Sequence, residues 1–175
     1  CWPLAACLLG VGSSTGALLV EHDDSLRKIF NVIRRRASFH AEDEYRLNDR
    51  KGLRVEGDPR SHPVWRDETA ALKATRRLVT LARETGKRIH VLHISTREEI
   101  GYLRHHKDVA SCEATPHHLT MAAPGCYERL GTLAQMNPPV RNAAHRAGIW
   151  NGIKQGIIDV LGSDHAPHTL EEKQK

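Results

Sequence analysis

Twelve histidines in 175 residues are a high count, and their placement suggests chemistry. His40 closes the string ASFH, His93 closes IHVLH, His117 and His118 follow SCEATP, and Asp164, His165 and His168 follow DVLGS. Neutral imidazole and carboxylate are ligands of zinc and related ions. A carboxylate close to such an ion can also carry a proton. One histidine at a strand end is more often a loop hydrogen-bonder than a ligand, so the inference rests on four such positions coinciding. His90 is out of phase with His93 and reads as structural. His105 and His106 fall at a helix end, as dipole partners or solvated surface. His22, His62 and His145 carry no ligand pattern.

The elements that must position these residues are legible from periodicity. Residues 24–36 place Leu26, Ile29, Phe30 and Ile33 on one helical stripe, with Asp23 and Asp24 at its start and Arg34, Arg35 and Arg36 suited to its dipole at the end. ASFH reads as a short strand, and residues 42–63 as a long charged loop. A helix is predicted over 64–85, stopped by Gly86. RIHVLHIS is the next strand, and Thr96 with Glu99 forms a capping box for a helix reaching His106. DVASCEAT is a strand, residues beyond Pro116 a loop, 142–154 a helix, and GIIDVLGS the last strand. Strands alternating with helices predict a parallel sheet in an α/β fold, either doubly wound or a (β/α)8 barrel. Either way, the strand carboxyl ends share one face, which in barrels is where active sites lie.

Composition narrows the class. Hydrophobic residues make up 39% and charged residues 27%, a mixture suited to a folded globular chain rather than a disordered tail. No apolar run approaches the roughly 18–20 residues of a membrane span. The net charge of +5 is spread among 21 acids, and aromatics at 5% leave little for stacking bases, so no nucleic-acid partner is expected. Four cysteines without a Cys-x-x-Cys pair are no disulfide framework and favour a reducing, cytoplasmic setting. No Gly-x-Gly-x-x-Gly or Walker string follows a strand, which disfavours a nucleotide-binding fold.

The strings GSSTGALLV, FHAEDEYR, GDPRSHPVWRDE, RIHVLHIST, EATPHHL, QMNPPVR and DVLGSDHAPHTLEEK resemble, in this order, the dihydroorotases of the cyclic amidohydrolase superfamily. The likeness is to the bacterial branch related to hydantoinases. It implies a (β/α)8 barrel, of which this chain would supply roughly strands four to eight, with one or two zinc ions. It also implies reversible ring opening of (S)-dihydroorotate, a small-molecule substrate, to N-carbamoyl-L-aspartate in pyrimidine biosynthesis. Carried over by motif, His40 and His93 match zinc ligands. Asp164 matches the last-strand aspartate that touches zinc and shuttles the proton. Asn137 and His168 match residues that contact the ring and its carboxylate. The resemblance assigns no role to His117, His118, His165 or Arg141; supporting or structural duty, rather than direct contact, is expected of His165 and Arg141.

The sequence also departs from the family pattern. The Asp-x-His-x-His-x-Arg string of the family's first strand is not found. Leu8 stands where this branch carries a lysine ahead of GSSTG. Residues 1–11 therefore read as a leader foreign to the family, and 12–175 as a partial barrel domain without the His-x-His strand and the C-terminal segments. The chain alone is expected not to be a competent dihydroorotase. The alternatives are a sister enzyme such as a hydantoinase or allantoinase, and a non-catalytic scaffold for aspartate transcarbamoylase. The resemblance also admits a homo-oligomer.

Overall fold

The computed structural model describes residues 8–11 and 22–173. In chain order the elements are β1 (Leu8–Val11), α1 (Asp23–Val32), β2 (Ala37–Ala41), α2 (Glu44–Arg50), α3 (His62–Trp65) and α4 (Glu68–Glu84). There follow β3 (Ile89–Val91), α5 (Arg97–Leu103), β4 (Ala110–Ala114), α6 (Pro116–Thr120), α7 (Gly125–Leu130), α8 (Ala143–Lys154), β5 (Val160–Leu161) and α9 (Leu170–Lys173). The strands form one parallel sheet in the order β1-β2-β3-β4-β5, with Gly10 opposite His40, Phe39 opposite Val91, Val91 opposite Cys112 and Glu113 opposite Val160. Sequential parallel strands joined through helices are the repeating unit of a (β/α)8 barrel, and the chain is a part of one.

Strand alternation decides which side chains can reach a site. Ala37, Phe39, Ala41, Ile89, Val91, Ala110, Cys112 and Ala114 turn to one face and are buried. There they meet Leu26 and Phe30 of α1, Leu78 and Val79 of α4, Leu103 of α5 and Ile149 of α8 in one apolar core. Phe30 stacks on Phe39 at 5.3 Å between ring centroids. Each such side chain contributes about 1.5–3 kcal/mol by leaving water. The alternate residues, Ser38, His40, His90, Ser111 and Glu113, face the other side, so a period of two sorts apolar packing from polar chemistry.

Local chemistry sets most boundaries. Thr96 and Glu99 form the expected capping box on α5. The Asp43, Asp67 and Asn142 side chains accept backbone N–H groups at the starts of α2, α4 and α8. Gly86, at φ 64°, provides the left-handed turn after α4. The structure corrects four expectations. The stretch read as a loop over 42–63 contains α2 and the start of α3, and the loop after Pro116 contains α6 and α7, because caps and long-range contacts order segments without an amphipathic period. The helix read over 64–85 is broken at Arg66 and Asp67, where Asp67 restarts the chain as the cap of α4. The run Arg34–Arg36 lies beyond the end of α1, and Lys87 Nζ reaches the Ile33 carbonyl at 2.8 Å instead.

The four strand-end positions expected to do chemistry lie among the described residues, as do Asn137 and His168. Of the eleven residues read as a leader, Leu8–Val11 form β1 beside β2; the lysine-equivalent Leu8 is in that strand.

Candidate active site

At the carboxyl ends of β2 and β3, His40 and His93 point at one another. His40 Nδ1 lies 3.0 Å from His93 Nε2, and the rings meet edge to face. Adjacent parallel strands in register place them there, since Phe39 pairs with Val91 and each histidine follows its strand-end partner by one or two residues. His93 is 4% exposed. Burial, with His40 and His118 nearby, keeps its imidazole well below the usual range and therefore neutral. Its φ is 36°, and that of Asp164 is 48°; among the described residues no other non-glycine residue has a positive φ. Such backbone costs of order 1–3 kcal/mol and persists where the surroundings over-determine it, a habit of functional sites.

Behind the pair lies a buried polar network. His40 Nε2 is 3.2 Å from Glu42 Oε2, at ion-pair distance but with no aligned hydrogen bond to that nitrogen. Glu42 is fully buried, and Arg66, 2% exposed, donates to both of its carboxylate oxygens. Burial opposes ionisation of Glu42, but the Arg66 guanidinium and His40 outweigh it and hold the carboxyl far below the usual range. Arg141 then donates to the main-chain oxygens of Arg66 and Asp67, the latter at 3.1 Å, and Asp67 pairs with Arg46 at 2.8 Å and Arg50 at 3.2 Å. Arg141 is thus a support of the site's framework.

Asp164 lies where His40, His117 and Glu113 all act on it electrostatically. Protein packed along one side raises its carboxyl above the usual range; Glu113 adds to the rise, and the two histidines oppose it. Glu113 itself faces His90, whose other ring nitrogen bonds Ser111 Oγ at 2.8 Å, so His90 is structural as expected. Asn137, exposed, sits at a cis peptide bond to Pro138 and accepts from His62 at 3.2 Å. His168 is exposed and lies 3.6 Å from Glu172. Among the described residues, no hydrogen bond or ion pair joins Asn137 or His168 to the imidazole pair.

Two imidazole nitrogens converging at 3.0 Å suit neighbouring positions on one ion, and the neutral state of His93 suits a ligand. Among the described residues, no third histidine, cysteine or carboxylate closes on the same point. The pair therefore fits two positions of a zinc site and does not complete it. Sequence reasoning missed Glu42, Arg66, His62 and the buried role of His118. The nearest signal was the carboxylate two residues past His40, on the same strand-end face, inside a stretch read as solvated charge.

The parallel β/α sheet carries an imidazole pair and a carboxylate at its strand ends, the face on which barrel active sites lie. No protein-family model matches the chain. The dihydroorotase of Methanosarcina mazei is 32% identical over 187 aligned positions, covering 98% of this chain and 41% of that protein. The dihydroorotase of Halobacterium salinarum is 38% identical over 134 positions, covering 77% of this chain and 31% of its own length. An L-hydantoinase (dihydropyrimidinase) structure from Arthrobacter aurescens superposes with a TM-score of 0.87 at 26% identity, covering 95% of this chain and 39% of that one. A D-hydantoinase from Thermus sp. shares the fold, with a TM-score of 0.83 at 23% identity over 94% of this chain and 38% of that one. The chain thus resembles the dihydroorotases of the hydantoinase-related branch and spans about a third to two fifths of the length of these relatives.

Proposed function

We propose that this chain carries part of the active site of a dihydroorotase, which reversibly opens the ring of (S)-dihydroorotate to N-carbamoyl-L-aspartate. The observation that carries the reading is the convergence of His40 and His93 at neighbouring strand ends. In it, His40 and His93 would hold zinc, and Asp164 would touch the same ion. Zinc, when bound, supplies polarisation of the ring carbonyl and a water of lowered pKa.

The remaining chemistry belongs to the chain's own groups. Hydrolysis breaks the ring C–N bond, adding hydroxyl to the carbonyl carbon and a proton to the nitrogen. Asp164, whose carboxylate is more basic than usual, takes the proton from the attacking water and returns it to the leaving nitrogen. One carboxylate serves both directions because the base of one step is the acid of its reverse. Asn137 orients the ring, and His168 meets the substrate's carboxylate once turned from Glu172. Glu42 and Arg66 hold His40 in place. Buried, unpaired thiols at Cys112 and Cys126 suit a reducing cytoplasm.

Titration of the chain with zinc, followed by calorimetry, tests the reading, with His40→Ala and His93→Ala each expected to weaken binding. Unchanged zinc affinity in both variants overturns the assignment. A second reading, a hydantoinase, draws on the solved neighbours. Ring-opening rates for dihydroorotate, hydantoin and allantoin, compared on the complete protein, separate the two.

A further inference from the structure

The segment that carries Asn137 is held at two points by imidazoles from distant parts of the chain. His62, the first residue of α3, places Nε2 3.0 Å from the Met136 carbonyl oxygen and 3.2 Å from Asn137 Oδ1. His118, in α6 and 2% exposed, places Nε2 3.1 Å from the Pro138 carbonyl oxygen. Its Nδ1 meets Thr115 Oγ1 at 2.8 Å. The two contacts bracket Asn137 on either side.

Proton placement follows from the partners. A carbonyl oxygen only accepts, so each Nε2 facing one must carry the hydrogen. Burial lowers both imidazoles to about 4, so each ring is neutral and holds one proton. That proton sits on Nε2 in both rings, leaving Nδ1 bare, and the Thr115 hydroxyl donates to the bare Nδ1 of His118. The same Nε2–H of His62 claims the side-chain oxygen of Asn137. The amide nitrogen, with its two N–H groups, is therefore turned away from His62.

We propose that His62 and His118 are positioning residues that clamp the Met136–Pro138 segment and fix the Asn137 amide with its donors outward, so that the substrate atom meeting Asn137 is an acceptor. A carbonyl or carboxylate oxygen satisfies this; a ring N–H does not. The substrate part of this inference rests on the proposed dihydroorotase reading, whereas the clamp rests on the hydrogen bonds alone.

The first test is made without substrate. In the 15N-labelled chain, long-range imidazole spectra are expected to show His62 and His118 both as Nε2–H tautomers; Nδ1–H in either ring overturns the clamp. Amide exchange is then compared in His62→Leu, which removes the donor, and His62→Gln, whose amide nitrogen restores it. We expect the Met136 and Asn137 amides to exchange at least about tenfold faster in His62→Leu, and to return toward wild type in His62→Gln, with Val91 and Cys112 unchanged. Wild-type exchange in His62→Leu overturns the clamp, as does equal loss in both variants. The second test uses (S)-dihydroorotate as the probe. Asn137→Asp keeps an oxygen toward His62 and replaces the outward donor with an acceptor, so the Kd read by calorimetry is expected to rise at least about tenfold. Unweakened binding in Asn137→Asp overturns the donor orientation. Absence of binding to the wild-type chain overturns the dihydroorotase reading and the acceptor assignment with it, while the tautomers and exchange still decide the clamp.

Discussion

Replacing Glu42 by glutamine tests whether the buried ion pair behind His40 acts as the geometry implies. The substitution keeps the side chain's volume and one accepting oxygen but removes the charge opposite Arg66. Both residues are almost wholly withdrawn from water, at 0% and 2% exposure, so solvent cannot replace the lost partner. Breaking a buried pair by neutralising one member costs about 3–5 kcal/mol, because the other charge is left buried. Here the remaining amide oxygen and the Trp65 ring, 5.0 Å from the Arg66 guanidinium carbon, soften the loss. The expected cost is therefore at the low end, about 3 kcal/mol. With a urea slope of about 2 kcal/mol per molar, the unfolding midpoint falls by about 1.5 M. Circular dichroism through a urea titration reads this directly. The double variant Glu42→Gln with Arg66→Met removes both charges and is expected to recover to within about 1 kcal/mol of wild type. If the single change costs less than about 1 kcal/mol, or the double variant costs as much as the single, the ion pair is not what holds this corner together.

Three further outcomes follow from the packing and the titrating groups. Gly148→Ala places a methyl carbon 2.3 Å from Arg97 Cβ and 3.0 Å from its Cα, so α8 must back away from α5. The gain of about 1 kcal/mol in helix propensity is outweighed, and a net loss of about 1–2 kcal/mol is expected in the same urea assay. Gly162→Ala brings a methyl carbon 2.5 Å from Glu113 Oε1, which must swing away from His90; a change in the His90 imidazole 15N shifts, with little loss of stability, is the expected signature. His118 has its folded-state pKa lowered to about 4 from an ordinary value near 6.5, so the unfolded chain binds the proton more readily between those values. Its stabilising effect is complete above about pH 6.5 and is lost as pH falls through about 4, a total of about 3 kcal/mol. His62 acts in the same direction, and Glu42 adds a loss below the usual carboxylate range. Urea midpoints should stay level from pH 7.5 to about 6.5 and then fall toward pH 4, less steeply in His118→Gln.

Much of the scaffold was legible without coordinates because it depends on neighbours in the chain. The stripe of α4, the Thr96–Glu99 cap and the β-branched run ending at His93 are all patterns within a few residues, and the structure contains each of them. Parallel order followed from strand–helix alternation, and with it the prediction that His40, His93 and Asp164 emerge on one face. The charged stretch after His40 was opaque for the opposite reason. Its helices are stabilised by Asp67 and Ala70 from beyond the segment, through contacts that no local period records.

The residue types at the strand ends, and the likeness of their strings to a known family, were therefore determined by the sequence itself. What only the tertiary structure decided is which polar groups meet. Arg66 reaches Glu42 across 24 positions, and His62 reaches Asn137 across 75. His118 turns inward to the Pro138 carbonyl instead of joining the imidazole pair. Burial then converts those meetings into chemistry. Water withdrawn from Glu42, His62 and His118 leaves each group's charge and proton to be set by the one or two atoms it faces, and those atoms are chosen by how the loops pack.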